Sequence, residues 1–482
     1  MVLTRSSFIA ARRLAVWATG SLLCIFGCAK PDSAAGSAHP SVLLIAIDDL
    51  RPELGCYGVE RAVTPHLDRL AGAGVCFTKA YCQAAICTPS RTSLLTGYRP
   101  DSTGVVDLQA HFRDTKPDVV TLPQYFKSAG YRTVSVGKLF HKPDPASWSE
   151  PVFHPDRGLK YALEENRAPG RDQRGPVIER VDVPDDAYRD GQVAQAAVEA
   201  LRRLKDEMFF LAVGFYKPHL PFAAPAQYWD LYPRENIDLP LNSSFPEGAP
   251  SFGRHDWQEL RVHGGVPSSG PLEESLAREL THGYLACVSY VDAQVGKVLD
   301  ELDALGLADD TIVVVWSDHG YYLGEHGMWC KMGMLEEALR VPLIVRAPGE
   351  SKTNVSTSGI VELVDVYPTL CDLAGLPVPG HLEGLSFVPL LSQPDREWKR
   401  AAFSQQANGT AGVMGYSVRT KRMRFTSWRL VAAPFNEVGI ELYDHVKHPG
   451  ETRNVAHVQG YGKHVKRLRG ILDAGWKGSV PE

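Results

Sequence analysis

The sequence predicts an α/β protein built on a large, mostly parallel central sheet, followed by a small C-terminal antiparallel sheet with a helix. Three observations carry that expectation. Ser41–Ile47, Phe209–Gly214 and Thr311–Ser317 are unbroken apolar runs, the pattern of strands covered on both faces. Segments with helical spacing alternate with them, as crossovers between parallel strands require. Each run also empties into ionisable residues: Asp48 and Asp49, then Lys217 and His219, then Asp318 and His319. Open α/β sheets gather functional groups at the carboxyl ends of strands, so one pole should carry the chemistry.

Length and charge set the bounds. With 482 residues, 44% hydrophobic and 22% charged, the chain can bury a large core. Mixed signs and a formal net charge of −5 argue against nucleic acid as a partner. The basic stretch Lys463–Arg469 reads as a solvated helix face. Residues 1–27 read as a signal peptide. Arg5, Arg12 and Arg13 precede an apolar run, Leu14–Phe26, that is too short for a bilayer core of ~30 Å. Losing it removes three positive charges and no negative ones, taking −5 to −8. Its end, Ile25-Phe26-Gly27-Cys28, resembles a bacterial lipoprotein signal, which implies lipid on Cys28 and a soft tether over residues 28–40. The expectation is an exported protein, in the periplasm or held by Cys28 at the outer membrane or cell surface. An ordinary secretory signal cut elsewhere is the alternative. Of the nine cysteines, Cys56, Cys76, Cys82, Cys287, Cys330 and Cys371 remain after Cys24, Cys28 and Cys87 are set aside; they show no zinc spacing, and their pairing is left open.

The elements follow in order. Ser41–Ile47 is a central strand. Thr64–Ala71 is a helix with Thr64 as cap and Pro65 in the first position. Pro123–Ala129 is another helix, stopped by Gly130, and a strand over Tyr131–Val136 delivers Lys138 and His141. A long helix runs from Leu276 to Leu305 and stops at Gly306, and another spans Asp365–Ala374. Asp144–Arg180 and Asn242–Pro271 have little periodicity, and long loops in compact domains are more often functional than idle, so both are expected over the site. Gly380–Leu391 reads as a crossing between a catalytic domain, 41–391, and a C-terminal subdomain, 392–482. There, Tyr416–Thr420, a turn at Lys421-Arg422 and Met423–Trp428 read as a hairpin, Ile440–Tyr443 as a third strand, and Val465–Ala474 as a helix.

Cys87-Thr88-Pro89-Ser90-Arg91 is the stretch that names a chemistry. The spacing from Thr92 to Leu95 and the stop at Gly97 predict a short helix with Cys87 at its start. A helix start offers free N–H groups and a positive dipole end, and Arg91 adds a planar cation suited to an oxyanion. A buried cysteine in a proline turn is the plain alternative. Asp48, Asp49, Asp318 and His319 are candidate metal ligands from two strand ends; hard carboxylates favour calcium or magnesium, and the imidazole is less usual.

Cys87–Arg91 followed by Leu94-Leu95-Thr96-Gly97 resembles the signature of the type I sulfatases, and the likeness extends from Leu43 to Val455. It rests on residues 48–52, 135–141, 217–222, 317–320, 323–327 and 414–420, and is strongest with the branch formed by iduronate-2-sulfatases and their bacterial relatives. Many sulfatases carry Asn where this chain has His319; that branch shares the histidine. The resemblance implies an alkaline-phosphatase-like sandwich and an enzyme that hydrolyses sulfate esters. It implies that a formylglycine-generating maturation enzyme oxidises Cys87, and that the aldehyde hydrate is the nucleophile. Asp48, Asp49, Asp318, His319 and residue 87 would hold one calcium ion. Arg91 and Lys138 would stabilise the hydrate, Lys331 would hold sulfate, His219 would protonate the departing sugar oxygen, and His141 would accept the second hydroxyl's proton as sulfate leaves. His326 reads as a hydrogen-bonding group, not a ligand.

The substrate implied is a terminal 2-O-sulfated uronate, with Lys217, Arg340 and Lys142 as candidate cations for its carboxylate. Carrageenan, fucan or ulvan fragments are the alternatives. A phosphatase of the same fold would use Ser or Thr with zinc ligands, which the Cys87 stretch opposes. A lipoprotein that binds sulfated glycans without turnover would follow if Cys87 stayed a thiol, and the mass of its peptide separates the two.

Overall fold

The computed structural model describes residues 39–167 and 174–481. The expected signal segment and Cys28 lie outside them. In the central sheet the strands are β1 (Ser41–Ile47), β2 (Val75–Phe77), β3 (Arg132–Gly137), β4 (Phe209–Phe215), β5 (Thr311–Ser317), β6 (Leu343–Arg346) and β7 (Val355–Thr357). Their order is β7-β2-β6-β5-β1-β4-β3. β5, β1, β4 and β3 run parallel, whereas β6 is antiparallel to both β5 and β2.

The apolar runs are continuous because the sheet has a core on each face. Along β1, Leu43, Ile45 and Ile47 enter one cluster and Val42, Leu44 and Ala46 the other. Each such side chain contributes about 1.5–3 kcal/mol on burial, so a charge anywhere in β1 would unseat one core. Helices α1 (Pro65–Gly72), α4 (Arg189–Leu204) and α5 (Glu274–Ala304) cover the first face. Helices α2 (Cys87–Thr96), α3 (Leu122–Ser128) and α6 (Val366–Leu373) cover the second. Gly97 ends α2 at φ 71° and its N–H reaches the Ser93 carbonyl, as the stop signal predicted.

The start of α1 corrects the expected cap. Thr64 is the N-cap residue, but its hydroxyl bonds Gly55 and Asp68. The free N–H groups of His66 and Leu67 instead donate to the carboxylate of Asp292, on α5, at 3.2 and 2.8 Å. A partner 225 residues away took the role that a local oxygen was expected to fill.

The C-terminal sheet has four antiparallel strands where three were read: β8 (Ala402–Asn408), β9 (Val413–Arg419), β10 (Met423–Leu430) and β11 (Ala433–Asp444). β8 escaped because Ser404, Gln405, Gln406 and Asn408 mask its alternation. Helix α7 (Gly462–Ala474) packs on this sheet through Leu468, with Val418, Phe425 and Leu442, and its basic residues stay largely at the surface. Val413, Trp428 and Tyr443 join the second core of the large sheet. The residues read as a crossing include one further short helix, Val388–Ser392. Cys56, Cys76, Cys82, Cys87, Cys287, Cys330 and Cys371 are all free. No helix among the described residues is long and apolar enough to cross a membrane.

Candidate active site

The carboxyl ends of β5, β1, β4 and β3 lie side by side, and each delivers part of one charged pole. β1 runs into Asp48 and Asp49, and β5 into Asp318 and His319. β3 ends at Gly137, which faces Gly214, one residue before the end of β4, in register. A Cβ on Gly137 would sit 2.1 Å from the Gly214 carbonyl oxygen, and Gly137 holds φ 76°. Only glycine allows that approach, which closes with Lys138 N–H donating to Gly214 O at 2.8 Å.

Arg91 is the hub. Wholly buried, its Nε donates to Asp318 at 2.8 Å, one terminal nitrogen to Asp48 at 2.9 Å, and the other to the Lys138 and Leu139 carbonyls. Lys138 Nζ bonds the other Asp48 oxygen and stands 3.8 Å from Cys87 Sγ. Lys331 Nζ bonds both Asp49 oxygens at 2.9 Å. Burial would raise the Asp48 carboxyl, but Lys138 and Arg91 hold it well below its usual range. Burial also pushes the Cys87 thiol well up, and Lys138 and Lys331 offset this only in part. As a thiol, Cys87 is held protonated and is a poor nucleophile.

His319 shows what the carboxylates are arranged around. Its Nδ1 lies 3.0 Å from the Gly320 carbonyl, which fixes Nδ1 as the donor. Nε2 then turns a lone pair toward Cys87 Sγ at 3.3 Å, Asp49 at 3.5 Å and Asp318 at 3.6 Å. The Cys87 thiol can donate to Nε2, but the Asp49 and Asp318 oxygens are acceptors, and acceptors facing acceptors are stable with a cation between them. Donor atoms of Asp49, Cys87 and His319, and of Asp48, Cys87 and Asp318, lie within 4.8 Å of one another. The donor set fits a metal ion.

Strain is stored around these ligands. Asp49 holds φ 62°, and the Tyr284 hydroxyl from α5 fixes it by donating to its carbonyl at 2.8 Å while accepting from Arg51 N–H. Cys330 and Met332, on either side of Lys331, hold φ 66° and 72°. Each such non-glycine residue costs of order 1–3 kcal/mol.

His219, in the segment after β4, aims Nε2 at Glu259 (3.0 Å), while its Nδ1 bonds Leu220 O at 2.8 Å. Glu259 also takes Lys331 Nζ at 3.0 Å. Sequence reasoning missed Glu259, a single acid on the one-turn helix Gln258–Arg261 within a loop that shows no period. Burial alone would lower His219; Asp49 and Glu259 outweigh it and raise its pKa. Burial and then Lys138 push His141 down to about 4.

Asp48, Cys87, Lys138, His141, His219, Glu259 and Lys331 line a cavity of about 1200 Å³, which Asp49, Arg91, Asp318 and His319 do not. Both long loops reach it, through Asp144–Lys160 and through Glu259 and His263. Of the cations expected for a uronate carboxylate, only Lys217 lines it, and its ammonium is turned back onto the Pro221 and His219 carbonyls. Lys142 reaches Gln109 O instead, and Arg340 lies on a two-residue strand paired with Ala80-Tyr81. Neither faces the cavity. Adjacency to a motif was the wrong guide, because neighbours along an extended backbone point to opposite sides. His326 is buried 3.3 Å from Glu337, away from the donor cluster.

A parallel sheet with acids, lysines and histidines around a buried residue at a helix start defines a hydrolase of anionic esters. A family model described as Sulfatase matches residues 40–376, and one described as N-sulphoglucosamine sulphohydrolase, C-terminal matches 324–475. The chain is 35% identical to iduronate 2-sulfatase of Mus musculus, covering 89% of this chain and 93% of that one. Among solved structures, a protein bound to its substrate D-glucosamine-2-N,6-O-disulfate aligns with TM-score 0.75 at 24% identity, over 91% of this chain and 98% of its own. The phosphonate monoester hydrolase of Agrobacterium radiobacter aligns with TM-score 0.76 at 24% identity, over 90% and 95%. The chain belongs to the sulfatase family and is a sulfuric ester hydrolase of alkaline-phosphatase-like fold. Members of that family generally work with a metal ion, which the donor set at the pole fits.

Proposed function

We propose that this sulfatase removes the sulfate ester from a terminal 2-O-sulfated uronate of an acidic glycan. The observation that carries this is the 35% identity to iduronate 2-sulfatase along nearly all of both chains. We also propose that Cys87 is matured to formylglycine and that the metal is calcium.

The hydrated aldehyde would supply one hydroxyl to bond sulfur and a second through which sulfate is released. Calcium held by Asp48, Asp49, Asp318, His319 and residue 87 would stabilise negative charge on the sulfate oxygens. Lys138, beside residue 87, favours a deprotonating hydroxyl there, and Arg91 locks Asp48 and Asp318 in place from below. Lys331, held against Asp49 and Glu259, presents its ammonium to the sulfate oxygens. His219 carries a raised pKa and donates its proton to the departing sugar oxygen, with Glu259 orienting the ring. His141 stays neutral down to about pH 4 and accepts the remaining hydroxyl proton. An acid and a base pushed apart in pKa are what the two half-reactions need.

Sulfate release from defined oligosaccharides tests the reading. A terminal 2-O-sulfouronate should be preferred over sulfated galactose or fucose; preference for a neutral sulfated sugar would end the uronate assignment and leave the sulfatase standing. We further propose export with lipid anchoring at Cys28. Cys28→Ser should release soluble protein, and a wild type recovered wholly in the soluble fraction would refute the anchor.

A further inference from the structure

The cavity has a second charged wall. Arg157, Lys160, Arg174 and Arg189 line it beside Tyr216, the residue that follows β4 and opens the segment bearing His219. Arg189 lies 5.1 Å from the Tyr216 ring centroid, held there by the Asp156 carbonyl at 3.2 Å and the Arg157 carbonyl. Burial and Arg157 oppose its charge, while Asp190 and Asp156 favour it from nearby. Lys160 feels Arg189, Arg174 and Lys217, and burial first and these charges second lower its pKa. His263 interacts with Arg174 and Lys160 and with His219, which links this wall to the acid of the reaction.

None of the four cations has an ion pair among the described residues, although carboxylates lie near. Asp190 is committed to the N–H groups of Tyr216 and Lys217 at 2.6 and 3.0 Å. Glu179 accepts from Ala162 N, Leu163 N, Asn166 Nδ2 and the Tyr188 hydroxyl. Asp156 accepts from Gly158 N at 2.7 Å. At the sulfate pole, by contrast, Arg91, Lys138 and Lys331 each have a carboxylate partner. Partly desolvated like charges without a direct ion-pair partner are costly in the free protein and repay that cost when an anion binds.

We infer that Lys160, Arg174 and Arg189, with Arg157, form a second anion subsite, which holds a carboxylate or second sulfate carried by the same glycan on the leaving-group side of His219. This rests on the sulfated-glycan reading above. The cavity volume of about 1200 Å³ exceeds the several hundred to ~1,000 Å³ of a single small-ligand pocket, so it has room for more than one sugar ring.

The test uses full-length matured enzyme, with an unsaturation-free disaccharide of 2-O-sulfouronate and N,6-O-disulfated glucosamine, and with an aryl sulfate that has no second anion. Lys160→Ala and Arg174→Ala should each lower the disaccharide-to-aryl-sulfate ratio of kcat/KM by about tenfold or more, mainly through KM. Lys160→Arg should restore it, and melting temperatures should match wild type. Two altered disaccharides identify the anion. If reducing the uronate carboxyl to an alcohol reproduces the KM loss and cancels the effect of the variants, the carboxylate is the occupant. If removing the glucosamine sulfates does so, a second sulfate is. An unchanged ratio in both variants, or wild-type KM for both altered disaccharides, overturns the subsite. If wild type cleaves aryl sulfate but no uronate, the uronate reading fails separately, and the same ratio is then measured on the sulfated sugar it does cleave, with and without a second anion.

Discussion

Two buried charge clusters in this molecule have nearly the same composition and different purposes. At the pole, Asp48, Asp49, Asp318 and His319 meet Arg91, Lys138 and Lys331. At the junction with the C-terminal sheet, Glu336, Glu451 and His445 meet Arg419 and Arg424. Both offer three potential ligand atoms within metal-binding reach. In the junction, Arg424 ties Glu336 on one side to Glu451 on the other, Tyr81 donates to Glu336 at 2.9 Å, and Glu336 N–H donates to Glu451 at 2.7 Å. It lies away from the large cavity, whereas Asp48, Cys87, Lys138 and Lys331 line it. The lesson is that acids and bases in the core mark a reaction only where they face an opening and crowd acceptor atoms together, here His319 Nε2 against the Asp49 and Asp318 oxygens. Elsewhere the same groups fasten one sheet to another.

The difference can be broken from both ends. On the proposed mechanism, Cys87→Ala should cost turnover at least about a thousandfold, because no other group at the pole can replace the nucleophile, while the melting temperature stays within a few degrees. Retained sulfate release by that variant would falsify the assignment. Arg424→Met should do the reverse. It removes the cation that Glu336 and Glu451 share and leaves them Arg419 and His445, so denaturant unfolding should lose about 1–3 kcal/mol, with kcat per folded molecule kept.

Next in size is the metal. Asp48→Ala, or prolonged chelation, should remove the bound metal, calcium on the proposal above, and cut the rate by two orders of magnitude or more, read by elemental analysis alongside activity. Unchanged metal content in Asp48→Ala sinks the ligand set.

An acid titration separates the clusters without mutation. His141 must stay neutral, so activity should fall as pH drops through about 4. Burial raises Glu451, but Arg424 and His445 beside it depress it from 4.5 to about 2. A depressed carboxyl contributes stability above its unfolded value and loses it as pH falls through the folded one, so the junction should weaken between about 4.5 and 2. Kinetics should therefore fail before near-UV circular dichroism changes; coincident loss would merge the two regions. Toward alkaline pH the rate should fall again as His219 deprotonates above its ordinary 6.5. The smallest effect is Glu259→Gln, expected at about tenfold on sugar sulfates and less on aryl sulfates, whose leaving oxygen needs little protonation.

What the sequence could tell follows the same division. Pole residues stand where buried runs stop, and an aspartate after six apolar residues is hard to overlook. β1, β4 and β5 were legible because doubly covered strands leave no polar interruption, and α1, α2, α3, α5 and α6 by their spacing and stops, whereas α4 was not read. Arg424 was not legible, since a charge within an alternating strand reads as a solvent-facing position until its partner is known, and neither was Glu336, which opens the one-turn helix Glu336–Leu339. Glu259, Arg157, Lys160 and Arg174 sit in loop excursions whose course is set by distant contacts, and Arg189 opens α4, which was not read. The cap of α1 by Asp292 has the same cause.

One further consequence follows from the burial of α2. All ten residues from Cys87 to Thr96 are buried, with the Cys87 side chain 2% exposed. A second enzyme that has to grip several residues around Cys87 finds nothing to grip once β5 has paired with β1 above it. On the proposal that Cys87 is oxidised by such an enzyme, the reaction has to be finished on an open chain, in competition with collapse. Chain regions beyond residue 300, which close the pole with Asp318 and Lys331, then act as a clock. Slowing their arrival should raise the converted fraction, and pre-folded protein should be refractory however much maturation enzyme is supplied.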